Sequence, residues 1–497
     1  MAMNVMQRGG NAADAAIAAS MVNVVLKPHR THLGGDMFFL IWRKNQNTVD
    51  CLNAGGTAPH LATLDRFHGG IPTTGPLAST VPGFVDGLQE LYAGYATLPL
   101  RQLLAPAIEL AEEGFPVSMR LSRSTRVIPR RPELSNEAMN LAFLKDGRPY
   151  EQGERLRQPD LADSLRRIVD DEREGFYGGE TAKRIARAYA DAGGIIDEVD
   201  LDRQQAHWHE PLQTTYQGCD VYEQALPSQG IILLEALNIV ENFPLREWGL
   251  NHPDAIHVMA EATKMAFADS RRFSADPELE SVPVERLLSK EYAQERAREI
   301  DLKQARDREP VLAGGGDTTQ FVVGDGEMAI TLIQSVFSAW GARFVIPGTG
   351  ILMNNRLRGF HIDPASPNRL EPGKRTVHTL NTFLAVRDGQ LVVGGGTPGA
   401  DFQVQTNLQT LVGVVDWDLD LQSAIDAPRW VSTGGELAME ARFPAPVIEE
   451  LQSRGHKVKV TDVWDATVSR SQAIASLPDG GWSVGSDLRG EGLALAY

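Results

Sequence analysis

Through the first 300 residues, apolar positions recur at three- and four-residue spacing between breaks set by glycine and proline, as in helices that bury one face. Asn11 is placed to cap a helix over Ala12–Leu26, and Gly34-Gly35 precedes an apolar run at 37–42 that reads as a strand. Further helices are predicted at 82–92, 100–112, 161–171, 180–192, 231–241 and 253–268, with one strand among them at 216–223. After the charged stretch 295–309 and a loop at 311–317, the period shortens to two. Runs at 318–323 and 328–335 flank Gly324-Asp325-Gly326, 383–387 and 391–393 flank Asp388-Gly389, and 473–477 and 481–485 flank Pro478-Asp479-Gly480. Each is a hairpin signature. A helix-rich first part and a sheet-rich last part give an α+β chain, and no internal repeat or long linker interrupts it.

With 497 residues, 42% of them hydrophobic and 23% charged, the chain can bury one large core or two ordinary ones. Its formal net charge of −17, with basic residues interspersed among acids, excludes nucleic acid and anionic membrane from the expected partners. Cys51 and Cys219 are too few for a disulfide framework or a cysteine metal site. No apolar run reaches the roughly 18 residues of a membrane span, and the start lacks a signal-peptide pattern, so the chain reads as cytoplasmic. Met1 runs almost directly into a helical pattern at 2–8, which leaves room for an upstream strand or export signal.

The loop at 311–317 ends in Gly314-Gly315-Gly316-Asp317 and meets Thr318-Thr319 at the start of a strand. A threonine hydroxyl needs a base beside it, and a threonine at a new N-terminus carries its own, an α-amine with a pKa near ~8. Before cleavage the same hydroxyl can attack the Asp317 carbonyl, in a geometry that neighbouring glycines permit. By itself such a run is more often an ordinary loop entering a strand.

The surrounding motifs resemble the γ-glutamyltranspeptidase family nearly end to end. The matches include Arg8-Gly9-Gly10-Asn11-Ala12-Ala13-Asp14, Phe176-Tyr177-Gly178-Gly179, the helix segment His257-Val258-Met259-Ala260-Glu261-Ala262, and Gly315-Gly316-Asp317-Thr318-Thr319. They continue through Met353-Asn354-Asn355, Pro372-Gly373-Lys374-Arg375 and Ala427-Pro428-Arg429. The resemblance implies a four-layer αββα sandwich of the N-terminal nucleophile hydrolase type. It also implies processing of one precursor into a large subunit, 1–317, and a small subunit, 318–497, by cleavage between Asp317 and Thr318. Thr318 matches the nucleophile, Ser335 the hydroxyl residue that hydrogen-bonds it, and Gly399 and Ala400 the pair whose amides stabilise the oxyanion. No cofactor is implied. Assembly of processed heterodimers into a homo-oligomer stays open.

The substrate side departs from the family. Its Arg in Phe-Arg-Glu-Met-Ala-Pro is replaced within Ala54-Gly55-Gly56-Thr57-Ala58-Pro59, and its Asp in Asn-Asn-x-Met-Asp-Asp-Phe within Asn354 to Phe360, where Gly359 stands. His378-Thr379 replaces its paired serines and Gln320 its His after the threonine pair. The pattern of Asn355, Arg358, His378 and Thr379 is closer to the oxamate amidohydrolase branch, and Arg343 and Arg358 match positions lining the acyl site in relatives. Either guanidinium suits a substrate carboxylate, though exposed arginines are more often solvated. The expected activity is hydrolysis of a small carboxylated amide. The alternatives are a glutathione hydrolase or γ-glutamyltransferase, and a degenerate homologue that binds without cutting.

Other signals are weaker. Gly481-Trp482-Ser483-Val484-Gly485 matches a nucleophile elbow but sits on a hairpin strand, with no His after it. His207 and His209 share a strand face without a third ligand, so no metal is expected. The triple glycine Gly394 to Gly396 reads as a close backbone approach.

Overall fold

The computed structural model describes residues 1–307 and 316–496. Two antiparallel sheets lie at its centre. The first holds β1 (Asp36–Arg43), β2 (Thr48–Ala54), β3 (His207–His209) and two later strands. The second begins with β4 (Leu212–Tyr216) and β5 (Cys219–Glu223). The hairpin β6 (Gly316–Gly324) and β7 (Met328–Ser338) completes the first sheet, in the order β3-β2-β1-β7-β6. The second is completed by β8 (Phe383–Arg387), β9 (Gln390–Gly396), β10 (Gln472–Ser476) and β11 (Trp482–Ser486), in the order β11-β10-β9-β8-β5-β4.

Side chains alternate across each strand, and that alternation builds the layers. From β1, Leu40 and Trp42 turn inward and meet Leu384, Leu391 and Ile474 of the second sheet. Met37, Phe39 and Ile41 turn outward to a core shared with the helices Ala12–Leu26, Phe84–Tyr95 and Leu100–Glu113. On the far side, Val221, Ala385 and Val393 pack under the helices Gly230–Val240, Pro253–Phe273 and Phe402–Val415. The result is the helix, sheet, sheet, helix sandwich that the family resemblance implies. Asn11 caps its helix as expected: its side chain accepts from the Asp14 N–H while the Asp14 carboxylate accepts from the Asn11 N–H.

Two expectations need correction. The strand expected at 216–223 is the turn and second strand of a hairpin, because Gln217 and Gly218, with φ of 48° and 77°, reverse the chain between Tyr216 and Cys219. A strand at Thr48–Ala54 went unread because polar residues interrupt its apolar positions. The hairpins after residue 318 fall where the turn residues put them, and Asp388 and Gly389 both adopt the positive φ of a primed turn. Of the glycine triplet before Thr318, Gly314 and Gly315 lie outside the described residues, while Gly316 opens β6, which runs continuously across the Asp317–Thr318 bond.

Candidate active site

Thr318, Ser335 and Asp36 stand opposite one another on three neighbouring strands. Directly opposed residues in antiparallel strands project to the same face, so their side chains form one row. The Thr318 hydroxyl donates to the Ser335 Oγ at 3.2 Å, and the Phe337 N–H donates to the same oxygen at 2.8 Å. Thr318 is only 2% exposed. Because β6 is the edge of its sheet, Thr318 also lines a cavity of about 550 Å³ together with Gln320, Pro398 and Arg470.

Behind Ser335 lies a polar cluster that no local pattern announces. Arg356, 1% exposed, places Nε 3.2 Å from the Asp36 carboxylate, donates from Nη1 to the Thr379 hydroxyl at 3.3 Å, and stacks on the Phe337 ring at 4.2 Å. His378 accepts the Leu380 N–H at Nδ1, so its proton sits on Nε2 and is donated to Asp36 at 3.1 Å. Burial and the Arg356 charge push the His378 pKa down to about 4, which keeps the ring neutral near pH 7. Burial alone would raise the Asp36 carboxyl. The His378 hydrogen bond and charge, the Arg356 charge and the Gly56 N–H outweigh it and hold the group below its ordinary value. Phe337 has φ of 78°, a strained conformation for a bulky residue.

The segment opposite comes from the second sheet. Thr397-Pro398-Gly399-Ala400 links β9 to the helix Phe402–Val415, with Asp401 at its N-cap. Among the described residues, the Gly399 and Ala400 N–H groups make no hydrogen bond, although both residues are buried. Gly399 has φ of 142° and Ala400 φ of 52°. Alanine therefore stands at a position that does adopt the left-handed region. Gln229 ties this segment to the cluster, donating from Nε2 to the carbonyls of Thr379 (2.9 Å) and Ala400 (3.0 Å). At Gly396 the sheets approach so closely that a Cβ would sit 3.1 Å from Gln320 Cγ, as the glycine run suggests.

The remaining expected residues divide. Thr379 and His378 belong to the cluster, but both ring nitrogens of His378 are committed to protein partners. Asn355 is structural in this chain: its side chain accepts the Ser338 N–H and donates to the Thr73 carbonyl. Arg358 is exposed, donates to the Ser338 hydroxyl at 3.2 Å, and lies 5.9 Å from the centre of the Phe337 ring. Arg343 points elsewhere, toward Arg131 and Glu133, and burial lowers its pKa. The buried guanidinium beside the site is Arg356, which sequence reasoning passed over for its two neighbours in charge.

His207 and His209 stack at 6.0 Å, with Glu278 near the first. His257, Glu261 and His456 lie close enough to share an ion, yet they are already knit together: His257 bonds His456 at 2.8 Å, and Glu261 pairs with Lys264 at 2.6 Å.

Two face-to-face sheets under two helical layers, with a hydroxyl row at the edge of one sheet, define the αββα architecture of the N-terminal nucleophile hydrolases. The chain belongs to the γ-glutamyltranspeptidase family, whose model matches residues 1–497. It is 35% identical to the glutathione hydrolase-like YwrD proenzyme of Bacillus subtilis (strain 168), over 99% of this chain and 95% of that one. It is 33% identical to the oxamate amidohydrolase proenzyme of Klebsiella pneumoniae, over 100% and 96%. Among solved structures, the cephalosporin acylase from Bacillus halodurans superposes with a TM-score of 0.94 at 35% identity, covering 100% of this chain and 93% of that one. The chain is accordingly an enzyme of the amide hydrolase and acyltransferase kind. No helix among the described residues is long and apolar enough to cross a membrane.

Proposed function

We propose that the chain cleaves itself between Asp317 and Thr318, giving subunits 1–317 and 318–497, and that the freed Thr318 attacks the carbonyl of a small carboxylated amide of the oxamate type. The observation that carries this reading is the Thr318 hydroxyl held on Ser335 at the wall of a cavity. The α-amine takes the hydroxyl proton as Oγ1 bonds to the carbonyl carbon, then returns it to the departing nitrogen as the C–N bond breaks. Water, deprotonated by the same amine, hydrolyses the acyl-enzyme. The unpartnered amides of Gly399 and Ala400 supply donors for the oxyanion, supported by a helix N-terminus.

The acyl pocket supports a short substrate. At Gly55, the family's Arg position, a Cβ would already meet the Phe38 and His378 rings at about 3.3–3.5 Å, so a longer side chain would have to pass those rings. Gly359, at the family's Asp position, abuts Thr376, where a Cβ would lie 2.6 Å from Oγ1. Arg356 and Arg358 both lie against Phe337 and are candidates for a substrate carboxylate. A glutathione hydrolase remains the second reading, favoured by the name of the Bacillus subtilis relative. Side-by-side kcat/KM on oxamate and glutathione separates the two: preference for oxamate supports the first reading, and equal or better turnover of glutathione overturns it.

A further inference from the structure

Three consecutive peptide carbonyls around the amides proposed for the oxyanion are each held by a donor. In a trans peptide the N–H points opposite to the C=O, so fixing one fixes the other. The Thr397 hydroxyl donates to the Pro398 carbonyl at 3.0 Å, which orients the Gly399 N–H. The Phe402 N–H donates to the Gly399 carbonyl at 3.0 Å, which orients the Ala400 N–H. The Ala400 carbonyl accepts from the Gln403 N–H at 3.1 Å and from Gln229 Nε2 at 3.0 Å.

The last of these holds the most strained residue. Ala400 has φ of 52°, a region that a residue with a Cβ populates roughly tenfold less readily than glycine. Relaxation of that angle toward negative values turns the Gly399–Ala400 peptide, and the Ala400 N–H with it. Gln229 is placed to oppose this. It is 3% exposed and stands at the N-cap of the helix Gly230–Val240, yet its side chain makes no cap bond there. Both Nε2 hydrogens go instead to carbonyls, of Thr379 at 2.9 Å and of Ala400. The base of the side chain is fixed as well. The Gln229 N–H donates to the His378 carbonyl and the His378 N–H to the Pro227 carbonyl, both at 2.8 Å, and the Ser228 hydroxyl donates to the Leu380 carbonyl at 2.7 Å.

We infer that Gln229 is a positioning residue for amide hydrolysis: it keeps Ala400 in the left-handed region and so keeps the Ala400 N–H directed at the oxyanion formed when Thr318 attacks. The inference rests on the proposed roles of Thr318 and of the Gly399 and Ala400 amides. Pro398, next to those amides, lines the same cavity as Thr318. Gln229 precedes the proposed cut and Ala400 follows it, so this bond joins the two subunits at the site.

The test is a double-mutant cycle of Gln229→Met with Ala400→Gly, read as kcat and KM on oxamate and on glutathione and normalised to the cleaved fraction. Methionine keeps the length of the side chain and removes both donors. Gln229→Met is expected to lower kcat about 10²-fold with little change in KM, because an oxyanion donor acts in the transition state. Glycine adopts the left-handed region freely, so on Ala400→Gly the same substitution should cost about tenfold less. A residue that merely supports the 378–380 segment would cost the same in both backgrounds. Gln229→Glu, which sets an acceptor against two carbonyls, should repeat the loss, and melting temperatures report on the fold of each variant. An unchanged kcat in Gln229→Met, or an equal loss in both backgrounds, overturns the inference. Gly399→Ala separates the two levels: if it leaves kcat unchanged, the oxyanion assignment fails, and if it is impaired while the Gln229 cycle shows no coupling, this inference alone fails.

Discussion

Replacing Arg356 by leucine tests whether the buried cluster is held by charge. In the wild type, Nε lies 3.2 Å from the Asp36 carboxylate, and both side chains are essentially without solvent. At an effective dielectric of about 20, that separation corresponds to an attraction of about 5 kcal/mol. Removing one partner of such a pair leaves an uncompensated charge, at a cost of about 3–5 kcal/mol. Among the described residues, Asp36 would keep the His378 and Gly56 donors. The sign with pH follows. Asp36 is depressed in the wild type, so its contribution is present above the unfolded carboxyl pKa and is lost only as pH falls through its still lower folded value. In Arg356→Leu, burial dominates and the folded pKa rises above the unfolded one, so the penalty is full near neutrality and fades as pH falls through the raised value. Loss of the Arg356 charge also lets His378 protonate more readily, in the same direction. Equilibrium urea unfolding at about pH 7.5 and about pH 5 should therefore show a gap from wild type that narrows at the lower pH. Adding Asp36→Asn to Arg356→Leu should recover part of the loss. A gap under about 1 kcal/mol, or one that is the same at both pH values, refutes a charge-held cluster.

Gly399→Ala places a side chain at φ of 142°, which alanine resists, so the amide pair should be displaced and kcat should fall by about 10²-fold with little change in global stability. Unchanged kcat would remove this segment from the oxyanion site. Gly359→Asp restores the family's residue type but drives Cβ into Thr376, so it should lower the melting temperature without raising γ-glutamyl turnover; a gain of that activity would show that the pocket accommodates the carboxylate. Arg358→Ala should raise KM for a carboxylated amide more than it lowers kcat, and unchanged kinetics would take that side chain out of the site.

The parts of the fold that could be read ahead are those written in local chemistry. Asp388-Gly389 and the Asn11 cap state their conformations within four residues, and those elements lie where expected. Gln217-Gly218 makes the same kind of turn, but glutamine is not a usual residue there, so the sequence alone reads as one strand. The segment around Thr318 is marked by family motifs in the right order, whereas the cluster behind Ser335 is not marked, because Arg356 meets Asp36 across 320 residues of chain. Burial decides which of three nearby arginines matters there, and burial of a charged residue is set by its distant partner. His378 could be placed near the site from its motif, but not its commitment to Asp36 and the Leu380 amide.

N-terminal sequencing of the fragments from purified protein tests the central claim most directly. The account predicts two pieces, with the smaller one beginning at Thr318, and a Thr318→Ala chain that stays whole and inactive. A small fragment beginning at any other residue, or a wild-type chain that hydrolyses amides while remaining uncut, contradicts it.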